Sequence, residues 1–154
     1  MESPKVTHLE RRKIEAAVLV PMLQAFQRAL GKERANEIAR EVIVELARQD
    51  GERWAAAHGN DLEAMHKVSG IWSAGGSLEI ELLEHGPDKL EFNVTRCRYA
   101  EYFKEMGLAE LGALIHCSRD FAMVKGFSGD IELKRTQTIM QGAAFCDFRF
   151  RKKG

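Results

Sequence analysis

The hydrophobic periodicity of this sequence changes once, near residue 70, and this change limits the folds open to the chain. Before it, apolar residues recur at helical spacing along residues 9–30 and 32–58, which predicts two long helices separated at Gly31. From Leu78 onward, apolar and polar residues alternate, as they do on half-buried strands. Helices followed by strands in this order predict the α+β class.

Local signals refine the helical half. Pro21 removes one backbone hydrogen bond, so we expect either a kink there or the first turn of a new helix. A short third helix is predicted to begin at "NDLE", with Asn60 as its cap and Glu63 reaching back. The following "SGIWSAGG" is predicted to be a loop.

The second half predicts two strand pairs. "LEIELLE" and "LEFNVTRC" flank the turn residues "HGPDK" and should form a hairpin. "DIELKRTQTIM" and "AAFCDFRFRK" should form a second pair around a short turn at Gln141 and Gly142. The residues between the pairs return to helical spacing. We therefore expect N-terminal helices packed on a four-stranded antiparallel sheet, with a helical insertion between the strand pairs.

Length and charge set the broad class. The 154 residues predict a single domain, 1–154, mainly helical over 1–70 and strand-helix-strand over 71–154. The 23 Lys and Arg residues are balanced by 23 Asp and Glu, which argues against a nucleic-acid binder. The chain has no apolar run of membrane-spanning length and no signal peptide pattern, and its three cysteines are an odd number. We therefore predict a cytoplasmic protein with free thiols and no membrane partner.

The two long amphipathic helices carry more apolar surface than one small sheet can cover. A homo-oligomer is therefore predicted, and a homodimer is the commonest solution.

Two cysteines lie beside acidic residues. In the last strand, alternation places Cys146 on the apolar face and Asp147 on the other; Cys146 is either a small buried core residue or part of a pocket. In "IHCSRD", helical spacing brings Asp120 near His116 at i, i+4 and near Cys117 at i, i+3. This trio is either a nucleophile, a base and an orienting acid, or a helix surface with solvated polar groups.

Metal binding is a further alternative. Cys97, Cys117 and Cys146, with His116 or Asp120, are chemically suitable zinc ligands, but their spacing is not that of paired Cys-x-x-Cys sites. We predict no cofactor and keep zinc as the less favoured possibility.

Two arginines continue the apolar phase of their strands. Arg96 follows Leu90, Phe92 and Val94, and Arg135 follows Ile131 and Leu133. Either both guanidinium groups line a pocket and hold a ligand carboxylate, or both strands end there and the side chains reach solvent.

The ordered motifs "CRYAEYFKEMG", "LIHCSRD" and "IELKRTQTIMQGAAFCDFRF" resemble the L-2-amino-thiazoline-4-carboxylic acid hydrolase family over roughly residues 35 to 151. The resemblance is carried by Cys97 with Tyr99, Cys117 with Asp120, Arg135 with Thr136, and the ending formed by Gly142, Cys146, Asp147 and Phe148. A fainter similarity, mostly in that ending, is to four-vinyl-reductase type ligand-binding domains.

The resemblance implies a cytoplasmic hydrolase that opens a small cyclic amidine bearing a carboxylate. For this reaction we expect Cys117 or Cys146 as nucleophile, and Asp120, Asp147 and His116 as proton carriers. Substrate-binding candidates are Arg96, Arg135, Cys97 and Tyr99. The alternative, implied by the fainter similarity, is a non-catalytic, sensor-like domain with a small-molecule pocket.

Overall fold

The computed structural model describes residues 5–154, and its chain folds into helices packed on one sheet. The helices are α1 (His8–Leu30), α2 (Lys32–His58), α3 (Leu62–Trp72), α4 (Arg98–Glu105), α5 (Ala109–Gly112) and α6 (Arg119–Phe127). The strands are β1 (Leu78–His85), β2 (Lys89–Cys97), β3 (Ile131–Lys134) and β4 (Cys146–Lys152). Neighbouring strands are antiparallel in the order β1-β2-β4-β3. The predicted α+β class, with a helical insertion between the strand pairs, is confirmed.

The boundaries of α1 follow from local chemistry. Thr7 and Glu10 form a capping box, in which each side chain accepts a hydrogen bond from the backbone N–H of the other residue, at 3.1 and 2.8 Å. The helix continues through Pro21, so the predicted new helix start there is wrong. Gly31 has φ 88°, a conformation that favours glycine, and it separates α1 from α2 as predicted.

Two predicted details after α2 are corrected. The cap of α3 is Asp61 rather than Asn60, because the Asp61 carboxylate accepts a hydrogen bond from the N–H of Ala64 at 2.8 Å. The helix then runs to Trp72, well into the segment predicted as a loop, and only a short 3₁₀ turn at Ala74–Gly76 separates it from β1.

The connection between β3 and β4 is longer than predicted. Strand β3 ends at Lys134, and a 3₁₀ turn at Ile139–Gln141 lies within the connection. The Asp147 carboxylate accepts hydrogen bonds from the N–H groups of Thr136 and Gln137 at 2.8 and 3.0 Å. These donors are therefore satisfied without a strand partner, and the chain leaves the sheet at this point.

One face of the sheet forms the first hydrophobic core. Phe92 of β2 lies opposite Phe148 of β4, and their rings stack with centroids 5.1 Å apart. Met65 of α3 and Phe127 of α6 are buried in the same cluster. Each such buried side chain contributes about 1.5–3 kcal/mol through apolar burial, so this core fixes the sheet against α3 and α6.

A second core lies between the N-terminal helices and the insertion. Its buried members include Val20 and Leu23 of α1, Ile43 of α2 and Phe103 of α4. Cys97, at the end of β2, packs against both this cluster and the first one. The end of β2 is therefore a junction between the two cores.

The apolar stripe that identified α1 in the sequence faces away from both cores. Its members are each at least half exposed: Ile14, Val18, Met22, Phe26 and Leu30. A similar exposed stripe on α2 consists of Ile38, Val42 and Leu46. The buried residues of α1 are instead Ala16, Val20 and Leu23. Although α1 and α2 are long, no helix within residues 5–154 is apolar enough over sufficient length to cross a bilayer.

Helices α2 and α6 touch through their backbones at two glycines. A Cβ atom on Gly51 would overlap the carbonyl oxygen of Met123, and one on Gly126 would overlap the carbonyl oxygen of Arg48. The absence of side chains at Gly51 and Gly126 therefore sets the distance between the two helices.

We predict that Gly51→Ala lowers the free energy of unfolding by more than about 2 kcal/mol, because backbone atoms cannot yield to the added methyl group. Gly70→Ala is the matched control: Gly70 lies in α3, and a Cβ atom added there would meet no atom within 4 Å, so the change should be neutral or stabilise by about 0.5–1 kcal/mol. Urea unfolding measures both. If the two variants were equally stable, the close backbone contact between α2 and α6 at Gly51 would be contradicted.

Candidate functional site

A cavity opens at the junction of the two cores, between α1, α2, the sheet and the segment that precedes α6. Seven of the predicted site residues line it: Cys97, Tyr99, His116, Cys117, Asp120, Arg135 and Cys146. Its volume is about 80 Å³. The structure therefore brings together the thiols of Cys117 and Cys146, which lie far apart in sequence, with an acid and a guanidinium group.

Arg96 is not part of this wall. Its side chain is 45% exposed and forms ion pairs with Glu101 at 2.8 Å and Glu79 at 3.5 Å. The cause is a bulge: Glu79 and Ile80 are consecutive on β1 but pair with Arg96 and Val94 on β2, so Thr95 is an extra residue. The extra residue turns Arg96 outward, and the solvent-facing alternative holds for it.

Asp147 also lies outside the cavity. Beyond the two backbone groups described above, its carboxylate accepts a hydrogen bond from the Thr136 hydroxyl at 2.5 Å. Partial burial raises the pKa of Asp147, but the hydrogen bonds from Thr136 and Gln137 outweigh this and lower it overall. Asp147 therefore anchors the loop that follows β3, whereas its neighbour Cys146 is buried and lines the cavity.

A π-helical turn, Ala113–Cys117, presents two of the predicted residues. The N–H of Ser118 donates to the carbonyl of Ala113 at 3.0 Å, five residues back, so the turn holds one residue more than an α-helical turn. The His116 ring stacks on Tyr99 with centroids 4.4 Å apart. Helical spacing in the sequence predicts a regular α-helix over this segment, whereas the structure has a π-helical turn that ends at Cys117 and a helix, α6, that begins at Arg119.

Asp120 and Arg135 form an ion pair at the cavity wall. The Arg135 side chain is only 8% exposed, and its Nη1 donates to the Asp120 carboxylate and to the carbonyl of Cys117, the latter at 2.9 Å. The pocket-facing alternative thus holds for Arg135. Burial raises the pKa of Asp120 to about 6, although Arg135 opposes the shift. A carboxyl group with this pKa exchanges protons near neutral pH.

The three thiols are neutral near pH 7. Burial raises the pKa of Cys97 to about 11 and also raises the pKa of Cys146. For Cys117, burial and then the Asp120 carboxylate raise the pKa strongly. A cysteine acts as a nucleophile through its thiolate, so this environment does not activate the thiols.

The sequence did not single out the charged group on the other side of the cavity. Asp50 of α2 accepts a hydrogen bond from Arg119 at 2.5 Å and from Arg12 at 3.4 Å, and all three residues line the cavity. A signal was present: Arg12 is in phase with the buried Ala16 of α1, and Asp50 is in phase with the buried Ala47 of α2. A charge on the buried face of a helix requires a partner.

His8 is a further cavity residue that the sequence did not single out. The Tyr99 hydroxyl donates to the carbonyl of Trp72 at 3.1 Å and lies 2.8 Å from His8 Nδ1. Because the phenol has one proton, His8 Nδ1 is the donor of that second bond, and Nε2 is left as an acceptor. Burial, followed by Arg12, lowers the pKa of His8 to about 4, so the ring is neutral at pH 7.

Three buried polar atoms of the cavity residues have no hydrogen-bond partner within the described part of the chain. They are Nε of Arg12, Nδ1 of His116 and Nε of Arg135. Unpaired buried groups are costly, and in a cavity they are available to a bound molecule. Burial lowers the pKa of His116 well below its usual value, so its ring is neutral as well.

The cysteines do not form a compact metal site. Across residues 5–154, the thiols, His116 and Asp120 do not bring three ligand atoms within 4.8 Å of one another. This spacing does not fit the zinc set that the sequence suggested.

Comparison with known proteins gives one family. The model of the L-2-amino-thiazoline-4-carboxylic acid hydrolase family matches residues 11–150, which is nearly the whole chain. No curated protein matches the sequence.

Solved structures give the fold. The phenol-responsive sensory domain of the transcription activator PoxR, solved with phenol, is 13% identical with a TM-score of 0.55 over 98% of this chain and 77% of that one. Subunit 3 of a trafficking protein particle complex from Naegleria fowleri, covalently bound to palmitic acid, is 12% identical with a TM-score of 0.49 over 92% and 97%. At 13% identity, the likeness to the sensory domain shows a shared fold and nothing more.

We predict slow thiol chemistry in the native protein. At pH 7.5, a chromogenic disulfide reagent should react with the native thiols at least about tenfold more slowly than with the same protein in urea, because burial disfavours the thiolate. Both rates are measured from the absorbance of the released chromophore, by stopped flow for a fast reaction and after manual mixing for a slow one. One thiol that reacted rapidly in the folded protein would contradict this and would indicate an activated cysteine.

Proposed function

The chain belongs to the L-2-amino-thiazoline-4-carboxylic acid hydrolase family, and we propose that its cavity hydrolyses a small ring of this kind. The substrate class is a carboxylate-bearing heterocycle or cyclic amidine, and the reaction is attack at the ring carbon of the C=N bond. The observation that carries this proposal is a carboxyl group, Asp120, with a pKa of about 6, in the same small cavity as an excess of guanidinium charge. The free thiols fit the cytoplasm as the proposed location.

The charge of the cavity favours an anionic substrate. Its wall holds three arginines, Arg12, Arg119 and Arg135, but only two aspartates, Asp50 and Asp120. Among the residues of the wall, one guanidinium charge is therefore in excess when both carboxyl groups are ionised, while Arg12 also forms an ion pair with Glu15, outside the wall, at 2.7 Å. Arg12 is the proposed clamp for the substrate carboxylate, because a guanidinium group binds carboxylates through parallel hydrogen bonds. Its Nε has no partner within the part of the chain that the structure describes, and its hydrogen bond to Asp50, at 3.4 Å, is longer than the 2.5 Å bond from Arg119.

Asp120 is the proposed general base and acid. It takes one proton from a water molecule as the water oxygen bonds to the ring carbon between nitrogen and sulfur, and it passes that proton to the ring nitrogen. The second water proton moves to sulfur as the carbon–sulfur bond breaks, leaving a carbonyl group and a free thiol. The reaction consumes one water and no other reactant. A pKa near the operating pH is the condition for efficient proton transfer of this kind.

The neutral histidines orient the ring. Nδ1 of His116 has no hydrogen-bond partner among residues 5–154, so we assign it a hydrogen bond with the polar edge of the substrate. His8 Nε2 is an acceptor on the same wall. The raised pKa values of Cys117 and Cys146 favour this water route over a thiol nucleophile, and we assign the two cysteines to shaping the cavity.

A second candidate function is binding without turnover. It is favoured by the apolar side of the cavity, which includes Trp54, Trp72 and Phe148, and by the fold shared with a sensory domain. In that case Asp120 and Arg135 would be a structural pair, and a bound ring would remain intact.

Asp120→Asn separates these functions. We predict that it lowers kcat about 10²–10⁴-fold on 2-aminothiazoline-4-carboxylate, because the base is lost, whereas Cys117→Ala and Cys146→Ala stay within about tenfold of the wild type. The released thiol is measured with the chromogenic disulfide. Asp130→Asn, an exposed aspartate before β3, is the matched control, and thermal melting checks that each variant is folded.

The pH profile gives a second measurement on the unmodified protein. As a base Asp120 must be ionised, so kcat should fall as the pH drops through about 6. Full turnover by Asp120→Asn would exclude the assigned base. Tight binding measured by calorimetry, with no thiol released from any ring of a panel of cyclic amidines and lactams, would instead support the sensor-like function.

We also propose that two copies assemble through the exposed faces of α1 and α2. The eight apolar residues of the two stripes each expose about a third to two thirds of their surface, on the order of 100 Å² apiece, and together roughly 800 Å², which is what each partner of a stable interface buries. The formal net charge is zero, so two copies do not repel each other at long range.

We predict that the wild type is dimeric at micromolar concentration and that Val18→Glu with Phe26→Glu makes it monomeric. Both side chains are at least half exposed, so the folded monomer should tolerate the charges while the interface should not. Light scattering after gel filtration measures the mass. Met106→Glu, which places a charge on an exposed apolar residue elsewhere, is the control. A monomeric wild type would contradict the assembly.

A further inference from the structure

A cluster of metal-binding side chains lies apart from the cavity. Glu63 and His66 are on α3, and His85 is the last residue of β1. One ligand atom from each lies within 4.8 Å of the others, and none of the three residues lines the cavity. We propose that these three side chains bind a divalent transition-metal ion that ties the end of the first hairpin to α3.

The geometry needs little change to accept an ion. Nε2 of His85 is 3.0 Å from Oε2 of Glu63, and the rings of His66 and His85 have centroids 4.3 Å apart. Ligand bonds of about 2.0–2.2 Å place neighbouring ligand atoms about 3.3 Å apart around zinc. Side-chain rotations that move the ligand atoms by about one ångström bring the separation of up to 4.8 Å down to this distance.

The placement of the ligands follows from the fold. Glu63 and His66 are three residues apart in one helix and so project from the same face. His85 comes from a different element, which is held by its pairing with Leu90 of β2. A site built from two elements is available only in the folded chain, so a bound ion stabilises the native state.

The ligand types select the class of ion. Two imidazoles and one carboxylate suit Zn²⁺, Ni²⁺ or Cu²⁺, whereas Mg²⁺ and Ca²⁺ prefer a shell of oxygen ligands. Three protein ligands leave at least one position for water. Because β1 is an edge strand that pairs only with β2, the hairpin end is a segment whose stability such a link would raise.

Zinc and cobalt chloride are the probes that test this. With Zn²⁺ at about 100-fold excess over its Kd, the melting midpoint of the wild type should rise by about 5 °C or more, and Mg²⁺ should give no rise. Glu63→Gln and His85→Ala should each abolish most of the Zn²⁺ shift. His58→Ala, which removes an exposed histidine outside the cluster, should keep it.

The buried thiols are a competing site, and the same experiments distinguish them. Cys117→Ser should retain the full Zn²⁺ shift, and Co²⁺ should bind once per chain with visible bands but without the near-ultraviolet band of a cobalt thiolate. A Zn²⁺ shift that survived Glu63→Gln and His85→Ala would overturn the proposal, as would a cobalt thiolate band or no shift in the wild type. The near-isosteric Glu63→Gln, at an exposed position, keeps the test independent of misfolding.

Discussion

The close approach of α2 and α6 is the contact on which the remaining structure depends. Two glycines, Gly51 and Gly126, allow the helix backbones to touch, and side-chain packing alone would hold them farther apart. Asp50 immediately precedes Gly51, and Arg119 opens α6, so the same contact brings their charges together at 2.5 Å. A constraint of helix packing thus fixes the polar wall of the cavity.

The charges of the cavity are better explained by chemistry than by stability. A buried ion pair often contributes little net stability, because the loss of hydration offsets the attraction between the charges. The cavity nonetheless contains Asp120 with Arg135, and Asp50 with two further arginines. Groups of this kind, with shifted pKa values and unpartnered donors, are typical of sites that bind or transform a ligand.

The two hydrophobic cores explain why a cavity exists at this point. The sheet with α3 and α6 forms one core, the N-terminal helices with the insertion form the other, and the end of β2 belongs to both. The π-helical turn at Ala113–Cys117 lies at this junction and presents polar side chains where continuous packing would otherwise close the space. The same scaffold can serve binding or hydrolysis, since function is decided by the residues of the site rather than by the fold.

The sequence by itself determined the order of the main elements and seven residues of the cavity wall. Periodicity gave the two long helices, the hairpin and the inserted helices, because the position of apolar residues along a helix or strand is a local property. The ordered motifs identified Cys97, Tyr99, His116, Cys117, Asp120, Arg135 and Cys146, which the fold does bring together. Only the tertiary structure decided the direction of Arg96, which depends on a one-residue bulge across a strand pair, and the anchoring role of Asp147. It also decided that the α1 stripe is exposed and that His8, Arg12 and Asp50 complete the cavity. The phase of Arg12 and Asp50 with buried alanines places them on the buried faces of their helices, but only the packing of distant segments decides what those faces meet.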